Sequence, residues 1–271
     1  MCRLRIKDNL MSNKLLYLYL KSKIFLMRKQ YLLLLLFIGL ISLSSNCKAD
    51  WEQTNGPYGA NVLCMNSQFV GTDVGIFRTI DGGNTWVASN NGLPKLLRIN
   101  TITITYFGSI LIGTSKGIYR STNVGYSWES MYTCLSNIEV TALFEYGGYL
   151  FAGTKGNGIF YLYGNICESA NNGLSDLFIN SFYYIPHMQL QDPNGNNFLY
   201  VTTQNGIYYC DLLLFPPDSP VVWSYAGISN YNVKAMGVLP SKIIAGSYGN
   251  GLFASKLFPY TTLFRHRKSV V

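Results

Sequence analysis

The sequence predicts an all-β protein, a β-propeller of four-stranded antiparallel blades, on three observations. Residues 71–86, GTDVGIFRTIDGGNTW, read as strand, tight turn, strand, tight turn, strand. A reduced copy, GTSKGIYRSTNVGYSW, occupies residues 113–128. The same strand–turn–strand core then recurs, so that five units begin at Gly71, Gly113, Gly153, Thr202 and Gly246. Self-similarity at about 40–45 residues, carried by short strands, is the period of a propeller blade.

In the first unit, residues 68–72 form one strand, residues 73–75 a glycine-containing turn and residues 76–79 the returning strand. Asp81-Gly82-Gly83 turns the chain again, and Thr85-Trp86 begins the next strand. The later cores repeat this as Gly117-Ile118-Tyr119, Gly158-Ile159-Phe160, Gly206-Ile207-Tyr208 and Gly251-Leu252-Phe253. An apolar strand leads into each later core, at residues 110–112, 149–152, 198–201 and 243–245. Another precedes it, at residues 62–65, 102–105, 140–144, 179–183 and 233–236. Asn90-Asn91-Gly92-Leu93, Asn171-Asn172-Gly173-Leu174 and Ala226-Gly227-Ile228 join the units. The polar insertion at residues 191–197 fits a hairpin tip. Such a sheet is apolar on both faces and persists by burying them against its neighbours. The recurrent glycine suits a close approach of backbones. Residues 50–56, DWEQTNG, resemble a fourth strand plus linker, which implies that the first strand of the chain completes the last blade.

The two ends of the chain read differently from its middle. Arg28-Lys29, the apolar run 31–41 and the small polar exit to Ala49 have the layout of a secretory signal peptide. The run is short for a membrane span, which needs about 20 apolar residues. Residues 1–49 are therefore an export segment, with Met27 as a plausible true start and cleavage after Ala49. A lipid anchor on Cys47 is the weaker reading, since Asn46 suits that motif poorly. Residues 257–271 resemble the translation of a sequencing-library adapter. The propeller is then expected to occupy residues 50–256 and to continue beyond Lys256, with about five blades visible of six to eight.

Charge divides the same way. The 271-residue chain carries a formal +8, yet residues 50–256 hold nine Lys/Arg against twelve Asp/Glu. A mildly acidic folded part gives no footprint for nucleic acid.

Residues 79–86, TIDGGNTW, match the Asp-box pattern Ser/Thr-x-Asp-x-Gly-x-Thr-Trp, and residues 121–128, STNVGYSW, are a weaker copy with Asn123 for the aspartate. The aspartate accepts backbone N–H bonds, the glycine supplies positive φ and the tryptophan packs between blades. With this motif the chain resembles the Asp-box (BNR-repeat) propellers. These include sialidases, tandem-propeller xyloglucan hydrolases, sortilin-type receptors and the photosystem II assembly-factor-like group of secreted bacterial proteins, the last looking nearest. The resemblance implies that the motif is a folding device on the blade periphery. A cation at Asp81 or Asp73 is the sharper alternative, but oxygen ligands at calcium-loop spacing are missing.

The enzyme readings are weaker. A sialidase needs three convergent arginines; Arg78 and Arg120 lie at equivalent places in successive units, and Arg98 is the third. Glycoside hydrolysis needs two opposed carboxyl groups, and Glu145, Asp176 and Asp192 sit near loops without forming an evident pair. Histidine is confined to His187, a loop residue beside Pro186, and His266. That argues against a His-based metal centre or hydrolase. Cys64, Cys134, Cys167 and Cys210 allow three disulfide pairings in an exported protein. They fall mostly within strands of different units, so buried free thiols have at least equal standing. Tyr and Phe, 21 and 15 in number, either pack the blades or form a carbohydrate platform on a ring face.

The sequence thus predicts a secreted, non-catalytic propeller that binds a protein or carbohydrate. It assigns no catalytic, cofactor or metal residue and no nucleic-acid partner, and it links the chain to the membrane through the export signal alone. The alternative is an Asp-box glycoside hydrolase with its site at the central channel mouth.

Overall fold

The computed structural model describes Lys21, Lys23 and residues 51–186, 197–212, 221–239 and 242–255. The export segment with Met27 and Cys47, as well as Asp50, His187, Asp192, Lys256 and the adapter-like tail with His266, lie outside the described residues. The chain divides into two units, Met1–Gln53 and Thr54–Val271. In the first, Lys21 and Lys23 are helical and exposed. The second carries every strand found among the described residues.

Nineteen strands form five antiparallel sheets among the described residues. The first holds β1 (Val62–Met65), β2 (Phe69–Thr72), β3 (Ile76–Arg78) and β4 (Val87–Ala88). The second holds β5 (Ile99–Ile104), β6 (Ile110–Thr114), β7 (Gly117–Ser121) and β8 (Glu129–Met131). A 3₁₀ turn, Thr133–Leu135, leads to β9 (Val140–Tyr146), β10 (Tyr149–Thr154), β11 (Ile159–Tyr163) and β12 (Ile166–Ser169). The fourth sheet holds β13 (Ile179–Ile185), β14 (Phe198–Thr203), β15 (Gly206–Asp211) and β16 (Ser224–Gly227). The fifth has three strands, β17 (Val233–Leu239), β18 (Lys242–Ser247) and β19 (Gly251–Ala254). Each sheet is a simple up-and-down meander, and successive sheets pack through their first strands. This is a five-bladed β-propeller.

A knob-in-hole pair joins each blade to the next. The first residue of the first strand is the knob: Ile99, Val140, Ile179 and Val233 are all at most 2% exposed. In the first three joints the hole is the glycine that opens the sequence repeat; in the fourth that position is the buried Thr202. A methyl group on Gly71, Gly113 or Gly153 would come within 3.0 Å of Ile99, Val140 or Ile179 respectively. Glycine is required there because the neighbouring knob already fills the space.

A β-bulge follows the knob in every blade, at Leu63, Asn100, Thr141, Asn180 and Lys234. Three of these turn a polar side chain onto the next knob's carbonyl. Asn100 Nδ2 donates to Val140 O (2.9 Å), Thr141 Oγ1 to Ile179 O (2.6 Å) and Asn180 Nδ2 to Val233 O (2.7 Å). The bulge explains one misplaced boundary. Alternation alone starts the strand of the second blade at residue 102, whereas β5 begins at Ile99, across an interruption that a period of two cannot register.

The hairpin after each second strand is clasped by the hydroxyl of that strand's last residue. Thr72, Thr114, Thr154, Thr203 and Ser247 donate to the carbonyls of Gly75, Gly117, Gly158, Gly206 and Gly251 at 2.7–3.1 Å. Asn90 and Asn171 Oδ1 accept from Ile76 N and Ile159 N at 2.8 and 2.7 Å, which ties the linkers to the same hairpins.

The turn at 79–86 is held by its aspartate. Asp81 Oδ1 accepts from Thr79 Oγ1 (2.8 Å) and Thr85 N (2.9 Å), and Oδ2 accepts from Thr85 Oγ1 (2.6 Å). Thr79 belongs to this turn rather than to β3, because its hydroxyl also accepts from Gly83 N (2.9 Å). Asn123 reproduces the arrangement with Ser121 and Ser127 in the second blade. Trp128 packs between the first two blades and donates its indole N–H to Ser89 O (2.7 Å); Trp223 does the same to Ala170 O (2.8 Å). The backbone N–H groups of Trp86, Trp128 and Trp223 donate to the carbonyls of Asn55, Asn91 and Asn172. Asn55-Gly56 therefore behaves as a blade linker, as its sequence suggests, while residues 51–54 lie in no strand.

Cys134 and Cys167 form a disulfide across a separation of 33 residues, and Cys64 and Cys210 are free. Free thiols thus hold for one pair alone. Cys134 sits in the exposed 3₁₀ turn rather than in a strand, which lets it reach β12. Burial raises the Cys64 thiol to about 12, partly opposed by its hydrogen bond with the Gly71 backbone, and burial pushes Cys210 higher still.

Candidate functional site: an aromatic end of the third and fourth blades

In a four-stranded meander the first and third turns emerge at one end, and the second turn and the interblade linker at the other. The two ends here differ in chemistry. The linker end is rich in asparagine, threonine and glycine, and its polar side chains bind their own backbone. The other end carries the polar turns at 79–86 and 121–128 in the first two blades, and rings in the second to fourth.

The innermost strands build the core of the aromatic end. On β9, Phe144 and Tyr146 lie two residues apart and so share a face; Phe182 and Tyr184 do the same on β13. The two pairs meet between the third and fourth blades. Phe144 stacks on Tyr184 at 5.9 Å, Tyr146 lies 5.6 Å from Tyr184, and Phe144 reaches Phe182 at 6.4 Å. Phe151 backs the group, with Phe144 and Phe182 at 6.3 and 6.4 Å. On the third blade Tyr149 lies 4.6 Å from Tyr163 and 5.5 Å from Tyr161. The first turn of the second blade adds an edge-to-face pair, Tyr106 and Phe107, both about 85% exposed.

Polar atoms accompany the rings. Burial, then the neighbouring Tyr146 phenol, raises the Tyr184 phenol above its usual range. Asn197 Nδ2 donates to Tyr146 Oη at 3.5 Å. Burial raises Tyr161 to about 12, with Tyr149, Tyr163 and Glu168 adding to the shift. The Tyr161 and Tyr184 phenols are therefore neutral across the physiological range. Tyr184 and Tyr163 keep 38% and 46% of their surface in water.

The acids expected near loops do not converge. Glu145 stands at the aromatic end of β9, where its Oε1 accepts from Gly148 N at 2.9 Å. Asp176 precedes β13, at the linker end, and its Oδ1 accepts from Phe178 N at 3.0 Å. The two are held at opposite ends of the blades. The arginines are equally dispersed. Arg78 lies over the Tyr126 ring at 3.7 Å, Arg98 Nε donates to Asn100, and Arg120 pairs with Glu129 at 2.6 Å. Asp73 is held by Asn61 (2.6 Å), whose hydrogen bonds pull its carboxyl below the usual range. Among the described residues no group of three His, Cys, Asp or Glu is placed to hold a metal ion. A cavity of about 180 Å³ lies between the fourth and fifth blades, lined by Tyr200, Ile207, Met236, Ile243 and Phe253.

No protein-family model and no curated protein matches the chain. Solved structures do. A chain described as the extracellular domain of a hybrid two component system from B. thetaiotaomicron superposes with a TM-score of 0.56 at 18% identity, over 78% of this chain and 28% of that one. PorZ, a surface component of the type-IX secretion system of Porphyromonas gingivalis, gives 0.53 at 14% identity, over 70% and 32%. This chain spans a third or less of the length of either. At these identities the likeness establishes the propeller fold alone. Among the described residues no helix is long and apolar enough to cross a membrane.

Sequence reasoning raised a carbohydrate platform without locating it. The F-x-Y spacing on β9 and β13 was the available signal, since residues two apart share a strand face.

Proposed function

We propose that this protein is an exported, non-catalytic propeller that binds a carbohydrate partner through the aromatic end of its third and fourth blades. One observation carries the reading: Phe144, Tyr146, Phe182 and Tyr184 form a pre-assembled ring cluster at the aromatic end of the third and fourth blades, with Tyr184 still 38% exposed. Stacked rings edged by neutral hydroxyls fit the alternating apolar faces and hydroxyl rims of sugars. A rigid scaffold lowers the entropic cost of binding, because the cluster is ordered before the ligand arrives. The dispersal of Glu145 and Asp176 weighs against the hydrolase alternative. The turns centred on Asp81 and Asn123 support placing the chain among the Asp-box propellers, where they act as folding devices. Export rests on the layout of residues 1–49.

The test is a glycan array followed by calorimetry on the best oligosaccharide, run beside a hydrolase assay on the same sugar. Binding without turnover is expected, with affinity reduced about tenfold or more in Tyr184→Ala. Turnover of the bound sugar, or full affinity in that variant, would refute the reading.

A further inference from the structure

The propeller contains an internal control for its own interfaces. Leu252 on β19 stands where Ile76, Ile118, Ile159 and Ile207 stand in the first four blades. Those four are at most 5% exposed, each against the blade that follows; Leu252 is 78% exposed. Gly246 on β18 stands where Gly71, Gly113 and Gly153 stand. A methyl group on any of those three would press on the next blade's knob within 3.0 Å, but at Gly246 the nearest side-chain atom is 3.6 Å away and belongs to Leu252 of the same sheet. At the other limit of the stack, Val62 is the first-strand knob of the first blade. It is 54% exposed, whereas Ile99, Val140, Ile179 and Val233 are at most 2%. The fifth blade thus presents an empty hole and an uncovered aliphatic, and the first blade presents an unseated knob.

We infer that the free face of the fifth blade is a blade-docking surface whose occupant is a further four-stranded blade of this same repeat. Its first strand would open with Val or Ile over Gly246 and cover Leu252. The interface is of the kind already formed four times in the molecule, three times with a glycine at the hole and once with Thr202. Retaining glycine at 246 has no local use, because the site is open; it acquires one when a knob arrives. The β19 edge has no fourth-strand partner among the described residues, so the incoming segment would also complete that sheet. Rings of four to eight blades are the usual range, which leaves room for one to three beyond these five.

The experiment appends a blade to the 271-residue chain. A copy of residues 122–163, carrying Cys134→Ser within the copy, is inserted after Ser255, which stands where Ser121 stands, so that it supplies the third turn, a fourth strand and three strands of a sixth blade. Thermal unfolding of the extended chain should rise by about 5 °C or more as Leu252 and the new sheet are buried. Gly246→Val should be silent in the original chain and should lower the extended chain by about 5 °C. An unchanged melting temperature on extension, or a Gly246→Val effect equal in both backgrounds, overturns the proposal. Sedimentation velocity on the original chain needs no graft. A monomer is expected, and a dimer dispersed by Leu252→Asp would assign the face to a second copy and overturn it equally.

Discussion

The two ends of this propeller are made of the same turns but spend their side chains differently. At the linker end, five hydroxyls clasp five hairpin carbonyls, and Asn90 and Asn171 hold the amides of Ile76 and Ile159. Polar chemistry there is consumed by the backbone. At the aromatic end of the third and fourth blades, Tyr163 and Tyr184 are held by other rings and keep 46% and 38% of their surface in water. A surface rich in polar residues can therefore be purely structural, while a surface of rings can be the one left available to a partner.

If that division is right, breaking the linker end should cost stability, and breaking the aromatic end should cost binding. The largest effect is expected at the Cys134–Cys167 bridge, which ties the linker before the third blade to its outer strand. Replacing both cysteines with alanine should lower stability by about 3–4 kcal/mol, from the loop of 33 residues, read by denaturant unfolding. Asn171→Ala should follow, at about 2 kcal/mol. It leaves the amide of Ile159 without its acceptor in a buried strand, and the midpoint should move by several degrees.

The turn at 79–86 sharpens the comparison through pH. The side chain of Thr85, then its backbone N–H, then Thr79, depress the Asp81 carboxyl from 3.8 to about 2. A folded-state value below the unfolded one adds stability that is fully present above about pH 4 and is lost as the pH falls through about 2. The melting temperature of the native chain should drop more steeply between pH 4 and 2 than that of Asp81→Asn. Asn123 already holds the equivalent turn with an amide, so the variant should fold normally at pH 7. An identical pH profile in both would mean that the charge of Asp81 contributes nothing.

The smallest stability change is expected where the binding change is largest. Tyr184→Ala removes one ring of a partly exposed stack and should cost about 1 kcal/mol in chemical unfolding, while carbohydrate affinity falls about tenfold or more. A large stability loss with binding intact would reverse the assignment of the two ends.

The repeat core, the hairpin turns and the Asp81 turn were legible in the sequence because their causes are local. Thr72 and Gly75 are three residues apart, and Asp81 and Thr85 are four. Each such pair fixes its own geometry, and five repetitions of one local solution fix the blade architecture. The knob at Ile99 was hidden by the bulge at Asn100, since an extra residue shifts the alternation that reveals strands.

Other features depended on what stands beside each sheet. Ile159 and Leu252 occupy the same place in the same Gly-aliphatic-Phe motif, yet one is fully buried and the other is mostly in water. The pairing of Cys134 with Cys167, and the meeting of β9 and β13 rings across a blade boundary, likewise join residues more than 30 positions apart. Sequence by itself determined the blade and its turns, because backbone hydrogen bonds and glycine conformations close over a few residues. The tertiary structure decided which faces are covered, because burial depends on the neighbour in space.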